Sequence, residues 1–258
     1  MLVMKFGGAS VAETESFLKI AEHIIEKSKS DAEIAVVVSA MGNTTDQLME
    51  LARKVHPHPP RRELDMLVST GERISISLLA MALSLKGKEA VSFTGSQSGI
   101  ITCGNHSDAK IVDVRPRRLL PVLKKGQIAI VAGFQGMSRE GEITTLGRGG
   151  SDTTAVALAV ALRAPKVEFY KDVPGIFEAD PKINPRAKHF QEMSYEEALR
   201  IARSGSKVLH PRCIELAMKN GVQLSVRSFL NPSSGGTLVG ASAPSSEIGY
   251  EVETCSLS

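Results

Sequence analysis

The stretch TTLGRGGSDTTAVALAVALRA, residues 144–164, joins a glycine-rich turn to a run of small aliphatic residues that is typical of a buried helix. A tight glycine turn and a helix cap from Ser151, Asp152 or Thr153 would explain most of it structurally. They do not explain Arg148. A guanidinium beside the free amides at a positive helix terminus is suited to bind a carboxylate or a phosphate, so the stretch also predicts an anion-binding site.

Three other segments combine a strand-like run with a glycine turn and polar residues: VMKFGGAS at 3–10, VVVSAMGNTTDQL at 36–48 and EFYKDVPGIFEADP at 168–181. In open α/β sheets, ligands bind at the carboxyl ends of the strands, where such turns lie. One glycine pair is weak evidence. Four turns that carry Lys, Ser, Thr, Arg and Asp together favour one anion-binding cleft.

Short aliphatic runs alternate with amphipathic helical patterns along the chain, which predicts an α/β sandwich with a largely parallel sheet. The predicted strands are Leu2–Phe6, Ile34–Ser39, Ala90–Phe93, Ile128–Ala132, Lys166–Tyr170 and Gln223–Arg227. The predicted helices are Glu13–Lys27, Thr44–Lys54, Gly71–Leu85, Ser151–Leu162 and Ser194–Ser204.

Two segments depart from this alternation. Residues 133–147, GFQGMSREGEITTLG, predict a hairpin with Glu140 and Gly141 at its turn. From Asn231 onward, NPSSGGTLVGASAPSSE is rich in Ser, Gly and Pro, which predicts a linker or tail.

Composition excludes several classes of function. The 258 residues carry a net charge of +3, only 4% are aromatic, and no basic block occurs, so a nucleic-acid partner is not expected. The longest apolar run, Ala155–Leu162, is much shorter than the ~20 residues that span a bilayer. Cys103, Cys213 and Cys255 are far apart and lack metal-site spacing, which predicts no metal ligands and a reducing, cytoplasmic location.

Common nucleotide-binding motifs are missing. No G-x-x-x-x-G-K-[ST] loop occurs, and GRGGSD departs from G-x-G-x-x-G because Asp152 replaces the last glycine. If phosphate is bound, separate lysines must hold it. Lys5 and Lys207 would flank a transferring phosphoryl group, with Asp152 holding both ammonium groups; a carboxylate acceptor would then need no general base. Lys207 could equally be a solvated surface lysine, and His210 is expected to be a structural residue at a helix start.

Glu72, in STGERISISLLAMAL at 69–83, allows two interpretations. An acid in the first turn of a helix complements the helix dipole, which is common. Alternatively, Glu72 would pair with a substrate ammonium while Arg148 binds an α-carboxylate, and the two residues would form an amino-acid site. Composition does not separate these interpretations.

Six motifs in this order resemble the motif set of aspartate kinases, within the amino-acid kinase superfamily: KFGGAS, VVSAMGNTTDQL, STGERIS, GRGGSDTTA, KDVPGIFEADPK and SGSKVLHPRCIELA. The resemblance covers about residues 2–240. It implies an eight-stranded, mainly parallel αβα sandwich over 1–230, with an amino-acid lobe at about 1–147 and a nucleotide lobe at about 148–230. It also implies MgATP-dependent phosphorylation of L-aspartate to 4-phospho-L-aspartate, for lysine, threonine and methionine synthesis, with Mg²⁺ held mainly by the ATP phosphates.

The resemblance also implies roles for individual residues. Phosphoryl transfer would involve Lys5, Lys207 and the organising Asp152, with amides from Gly7 and Gly8. The aspartate site would be lined by Ser39, Thr45, Glu72, Arg148 and Ser151. The adenosine and phosphates of ATP would be held by Lys171, Asp172, Phe177 and Lys182.

The chain departs from the family pattern at several positions. Ala9 and Lys171 each replace a usual Thr, Phe177 replaces a common Tyr, and Lys182 replaces a common Arg. The segment 231–258 is expected to be a linker-like tail without the paired regulatory ACT domains of most aspartate kinases. The family further implies a homodimer.

Overall fold

The structure, a computed structural model, describes residues 1–179, 184, 186–232, 234–240 and 248–252. The strands within these residues are β1 Leu2–Phe6, β2 Ile34–Val38, β3 Ala90–Phe93, β4 Ile100–Thr102, β5 Ile111–Val114, β6 Ile128–Ala132, β7 Gln135–Ser138, β8 Ile143–Thr145, β9 Lys166–Lys171, β10 Ile176–Phe177, β11 His189–Phe190, β12 Glu192–Met193, β13 Gln223–Ser228 and β14 Thr237–Val239. The helices are α1 Thr14–Lys27, α2 Thr44–Val55, α3 Arg61–Val68, α4 Thr70–Leu85, α5 Leu119–Lys124, α6 Gly150–Leu162, α7 Tyr195–Arg203 and α8 Pro211–Asn220.

The main sheet has the strand order β12-β14-β13-β9-β1-β2-β6-β3 in the described part of the chain. Every pairing in it is parallel except that of β13 with β14. Every residue of β1, β2 and β6 is buried, because helices cover both faces of the sheet. The predicted α/β sandwich with a mainly parallel sheet is therefore confirmed.

Each face of the sheet has its own hydrophobic core. On one face, α1 and α4 pack against alternate residues of β1 and β2. On the other face, α6 contacts β1, β2, β9 and α8. Because α6 is covered on all sides, it is apolar around its whole circumference, and its small Ala and Val residues allow close packing. Its amino terminus is thereby fixed at the carboxyl ends of β1 and β9.

The predicted hairpin at 133–147 is confirmed, since β7 and β8 pair antiparallel. They belong to a smaller sheet with the order β5-β4-β7-β8. The strands and helices whose bounds were predicted from sequence match the structure to within one residue at each end, whereas β4, β5, β10, β11, β12, β14, α3, α5 and α8 were not predicted.

The predicted linker-like tail is wrong for residues 237–239. Thr237–Val239 forms β14, which lies between β12 and β13 in the main sheet. Gly236 lies against the carbonyl of Val226, where a β-carbon would collide, so the glycines allow the chain to enter the sheet. Further along, Glu251 pairs with Arg212. The composition signal failed because a three-residue strand was surrounded by Ser and Gly.

One helical stretch among the described residues, Arg61–Leu85, is long and apolar enough to cross a membrane by length and composition alone. Half of its most apolar part is buried in the fold. Asp65 and Glu72 within it are also buried and accept hydrogen bonds from other elements. These are features of helices in a protein core.

The strand β9 carries a buried carboxylate, Glu168, on the face of the sheet that α1 covers. Glu168 is fully buried and accepts a 2.6 Å hydrogen bond from the Tyr170 hydroxyl. The ammonium groups of Lys27 and Lys166 each lie 2.9 Å from one of its oxygens. Burial alone would raise the pKa of Glu168, but the hydrogen bonds from Tyr170 and the two lysines hold that pKa at about 2. Glu168 therefore stabilises the junction of β9 with α1.

We expect Glu168→Gln to lower the free energy of unfolding by about 3 kcal/mol near neutral pH, because it leaves two cations without their partner. Since the folded state depresses the pKa, the stabilisation is complete above the unfolded pKa of about 4.5 and is lost as the pH falls toward 2. Urea unfolding from pH 7 to pH 2 measures this. Glu26→Gln, which breaks the exposed pair with Lys29, should cost at most ~1 kcal/mol. Equal losses in the two variants would contradict the expectation.

Candidate functional site

The turn before α6 has a backbone that requires glycine. Gly147 and Gly149 have φ angles of 71° and 73°, in the left-handed region. Gly149 also lies against the ring of His210, where a β-carbon would collide. The residue that precedes α6 is Gly149, with no side-chain cap, so the predicted cap from Ser151, Asp152 or Thr153 is not formed. The polar side chains of this turn are available for other partners.

A cavity of about 300 Å³ lies at this turn. The cavity lies between the carboxyl ends of β1 and β2 and the amino termini of α2, α4 and α6. The predicted site residues that line it are Lys5, Gly8, Ser39, Thr45, Glu72, Arg148, Ser151 and Asp152. The structure thus brings together all five residues predicted for the amino-acid site, as expected where parallel strands end at one edge of a sheet.

Glu72 is 2% exposed and is incompletely paired. Its Oε1 accepts a 3.1 Å hydrogen bond from the amide of Ala40. Its Oε2 is buried and has no hydrogen-bond partner among the described residues. Burial raises the pKa of Glu72 to about 7, although the Ala40 amide and Lys5 oppose the shift. An unpartnered carboxylate oxygen in a cavity can accept a hydrogen bond from a cationic ligand.

Asp152, in the first turn of α6, joins two lysines. Its Oδ1 lies 2.7 Å from Lys5 Nζ, and its Oδ2 lies 2.9 Å from Lys171 Nζ. Burial lowers the pKa of Lys5 to about 8, against the attraction of Asp152. Burial alone would raise the pKa of Asp152, but Lys171 and Lys5 hold it at about 2. The predicted second partner of Asp152 was Lys207; the structure has Lys171 in that position.

A second cavity of about 530 Å³ lies beyond Lys171. It is lined by four of the residues predicted to bind ATP: Lys171, Asp172, Phe177 and Lys207. Lys207 is exposed there, on the loop between α7 and α8. Lys182 lies outside the described residues.

The glycine pair after β1 lies between these features. Gly8 lines the smaller cavity. Gly7 lies beside Lys5, and its amide donates to the carbonyl of Tyr170 at 3.4 Å. The hydroxyl of Ser10 donates to the same carbonyl at 3.1 Å. This turn is therefore fixed to the end of β9, next to Lys171.

Two residues that sequence reasoning did not select hold the Arg148 turn in place. Buried Asp65 accepts hydrogen bonds from the hydroxyl and amide of Thr145, at 2.6 and 3.1 Å. Arg212 donates to the carbonyl of Leu146 and binds Glu251 through two hydrogen bonds. The sequence of α3, RRELDMLV, carries four charged residues, so nothing in it set Asp65 apart from an exposed acid, and its backbone target was not visible in the sequence.

His210 has the structural role that was expected. It is the residue that caps α8, and its Nδ1 accepts a hydrogen bond from the amide of Arg212 at 3.4 Å. Burial, followed by the nearby charge of Arg212, lowers its pKa. A neutral imidazole matches an acceptor at this helix start.

Comparison with known proteins agrees with this architecture. The model of the amino acid kinase family matches residues 1–228. The aspartokinase of Mycolicibacterium smegmatis is 53% identical over 242 residues, which are 93% of this chain and 58% of that protein. The chain thus spans less than two thirds of the length of this curated relative.

Two solved structures are also similar. The aspartate kinase from Synechocystis superposes with a TM-score of 0.85 at 44% identity, over 97% of this chain and 41% of that one. E. coli aspartokinase III in complex with aspartate and ADP gives a TM-score of 0.83 at 29% identity, over 94% of this chain and 65% of that one. The resemblance to aspartate kinases is confirmed, and the chain belongs to the amino acid kinase family.

Proposed function

We propose that this chain transfers the γ-phosphoryl group of ATP to the side-chain carboxylate of L-aspartate, giving 4-phospho-L-aspartate. The observation that carries the proposal is the unpartnered oxygen of Glu72 in the same cavity as Arg148. The relatives named as aspartokinases, and the related structure with aspartate and ADP, support the same substrates.

The smaller cavity offers complementary groups to both ends of an amino acid. The Arg148 guanidinium would bind the α-carboxylate, and Glu72 would bind the α-ammonium group. The hydroxyls of Ser39, Thr45 and Ser151 line the same space. At about 300 Å³, the cavity is at the lower end of the usual range of ~300–1,000 Å³ for ligand pockets, which suits a small acid.

Glu72 would also favour aspartate over the phosphoryl acceptors of other proteins that have this fold. N-acetylglutamate and a nucleoside monophosphate both lack the free ammonium group that would meet Glu72 Oε2. Either would leave this buried carboxylate oxygen unpaired, at a cost of about 1–3 kcal/mol or more. A non-catalytic sensor is the other candidate, but Lys5 and Lys207 are both retained.

In the transfer, a carboxylate oxygen of aspartate forms a bond to the γ-phosphorus, and the bond from that phosphorus to the β–γ bridging oxygen breaks. ADP leaves with the electron pair. The acceptor is already ionised, so no residue has to remove a proton from it. Lys5 would stabilise the charge on the transferring phosphoryl, and Asp152 would orient Lys5. Asp172, Phe177 and Lys207, around the larger cavity, would hold the nucleotide.

We further propose that Mg²⁺ assists the reaction, held mainly by the phosphates of ATP. In the described part of the chain, no group of three or more His, Cys, Asp or Glu side chains could hold a metal ion. Asp172 and Glu178 both line the larger cavity, and Asp172, which follows β9 directly, would support such an ion. When bound, Mg²⁺ would neutralise phosphate charge.

The remaining expectations about organisation stay proposals. Exposed apolar residues on α4, namely Ile74, Met81 and Leu85, favour the predicted homodimer because they share one helix face. The free, buried Cys103 and Cys213 are compatible with the predicted cytoplasmic location. The two cavities are consistent with the predicted amino-acid and nucleotide lobes.

The substrate is tested by an ADP-release assay with L-aspartate, N-acetyl-L-glutamate, UMP and no acceptor, each with and without Mg²⁺. We expect magnesium-dependent release above background with aspartate alone. Lys5→Ala should lower kcat at least ~100-fold, because it removes a charge-stabilising donor. Lys19→Ala, on the exposed face of α1, is the matched control. Equal or faster rates with another acceptor would refute the aspartate assignment.

Arg148→Ala should raise the KM for aspartate by ~10-fold or more, because it removes the charged partner of the α-carboxylate. The KM for ATP should change much less, since Arg148 lines the smaller cavity. Initial rates at varied aspartate and ATP measure both constants. Arg139→Ala, exposed between β7 and β8, should leave both unchanged. An unaltered aspartate KM in Arg148→Ala would exclude the proposed contact.

Glu72→Gln should weaken aspartate binding and yet stabilise the free protein at high pH. The folded state raises the pKa of Glu72 from 4.5 to about 7, so it retains a proton that the unfolded chain releases. The wild type therefore loses stability as the pH rises from about 4.5 to 7, by on the order of 3 kcal/mol. The variant lacks this loss.

Urea unfolding at pH 4, 6 and 8 measures this difference. The advantage of Glu72→Gln should be near zero at pH 4 and largest at pH 8. Glu63→Gln, at an exposed position near the start of α3, should follow the wild-type profile. A Glu72→Gln protein that is no more stable than the wild type at pH 8 would show that this carboxylate is not destabilising.

A further inference from the structure

We infer that Lys171 is a catalytic residue, which places a second ammonium group on the transferring phosphoryl beside that of Lys5. The inference rests on the proposed phosphoryl transfer and deepens it. Lys171 was predicted only to hold ATP, and Lys207 was predicted to share Asp152 with Lys5. In the structure, Lys171 and not Lys207 contacts Asp152.

The fold puts Lys5 and Lys171 side by side. Strands β1 and β9 are parallel neighbours, and Phe6 pairs with Tyr170 at their carboxyl ends. Lys171 is the last residue of β9, and its side chain is only 14% exposed. Both lysines are therefore held on adjacent regular strands, whereas Lys207 is exposed on a loop.

The two ammonium groups share the carboxylate of Asp152, and Lys171 donates to both of its oxygens. Lys5 Nζ lies 2.7 Å from Oδ1 and Lys171 Nζ lies 2.9 Å from Oδ2. Two cations held by one anion leave an excess positive charge in a buried place. An anionic ligand with several oxygens, such as a phosphoryl group, would complete this arrangement.

Lys171 also stands between the two cavities. It lines the larger one, while its partner Asp152 and the neighbouring Lys5 line the smaller one. A phosphoryl group that passes from a nucleotide in the larger cavity to an acceptor in the smaller one would pass the Lys5–Asp152–Lys171 cluster. There Lys171 would donate N–H hydrogen bonds to a phosphoryl oxygen and transfer no proton.

This position distinguishes the chain from the pattern it resembles, in which a Thr is usual at 171. A threonine hydroxyl carries no charge and is too short to replace an ammonium group at Asp152. Lys171 is therefore a property of this sequence, and its effect on the transfer step can be measured directly.

The experiment compares the binding of ADP with that of ADP plus aluminium fluoride, which mimics the planar transferring phosphoryl. Binding is measured by calorimetry with Mg²⁺, both in the presence and in the absence of aspartate. Lys171→Met should weaken the aluminium fluoride complex about 100-fold and change the affinity for ADP alone by less than about threefold. In the ADP-release assay, kcat should fall by a similar factor, and Lys171→Arg should recover part of it because it restores the charge.

Lys19→Met is the matched control, because it removes an exposed lysine of α1 that lines neither cavity. Equal weakening of both complexes by Lys171→Met would make Lys171 a nucleotide-binding residue only and would overturn the inference. So would loss of aluminium fluoride binding in Lys207→Met but not in Lys171→Met. If aspartate is not the acceptor, the wild type fails the substrate assay, whereas the comparison without aspartate still reports on Lys171.

Discussion

The site depends on one shared carboxylate. Asp152 allows two largely buried ammonium groups to lie close together, where they would otherwise repel each other. Its place in the first turn of α6 adds the favourable field of the helix amino terminus. Without Asp152, Lys5 would lose the attraction that opposes its desolvation and would readily become neutral. The positive charge that Lys5 would offer to a phosphoryl group in the proposed reaction therefore depends on Asp152.

The strand order explains why the carboxylate meets these lysines. From β1, the sheet continues to β2 on one side, and the later strands β9 and β13 are added on the other side. The boundary between β1 and β9 is thus a topological switch point, where connections run in opposite directions and leave a crevice at the carboxyl ends. Lys5 and Lys171 lie on the two sides of this boundary, and the amino terminus of α6 lies above it.

The sequence was informative wherever the signal was local. Fully buried strands such as β2 contain only aliphatic residues. The four glycine turns identified the edge of the sheet that carries the site, but they line two cavities and not the one cleft that was predicted. The sequence could not show whether Lys171 or Lys207 meets Asp152, because that choice depends on strand pairing and loop path. Asp65 and Arg212 were missed because they bind backbone groups that are distant along the chain.

The two acids of the site have opposite electrostatic surroundings: Glu72 lacks a partner for one oxygen, whereas Asp152 has two cationic partners. Glu72 has an oxygen without a hydrogen-bond partner among the described residues and a pKa raised to about 7, because burial outweighs the opposing effects of the Ala40 amide and Lys5. Asp152 has two cations and a pKa of about 2. A ligand with an ammonium group at one end and a phosphoryl at the other would pair with Glu72 through the ammonium and with Lys5 and Lys171 through the phosphoryl. Under the proposed function, this polarity would orient an amino acid with its ammonium toward Glu72 and its reacting carboxylate toward Lys5, which is the direction that phosphorylation of a side chain requires.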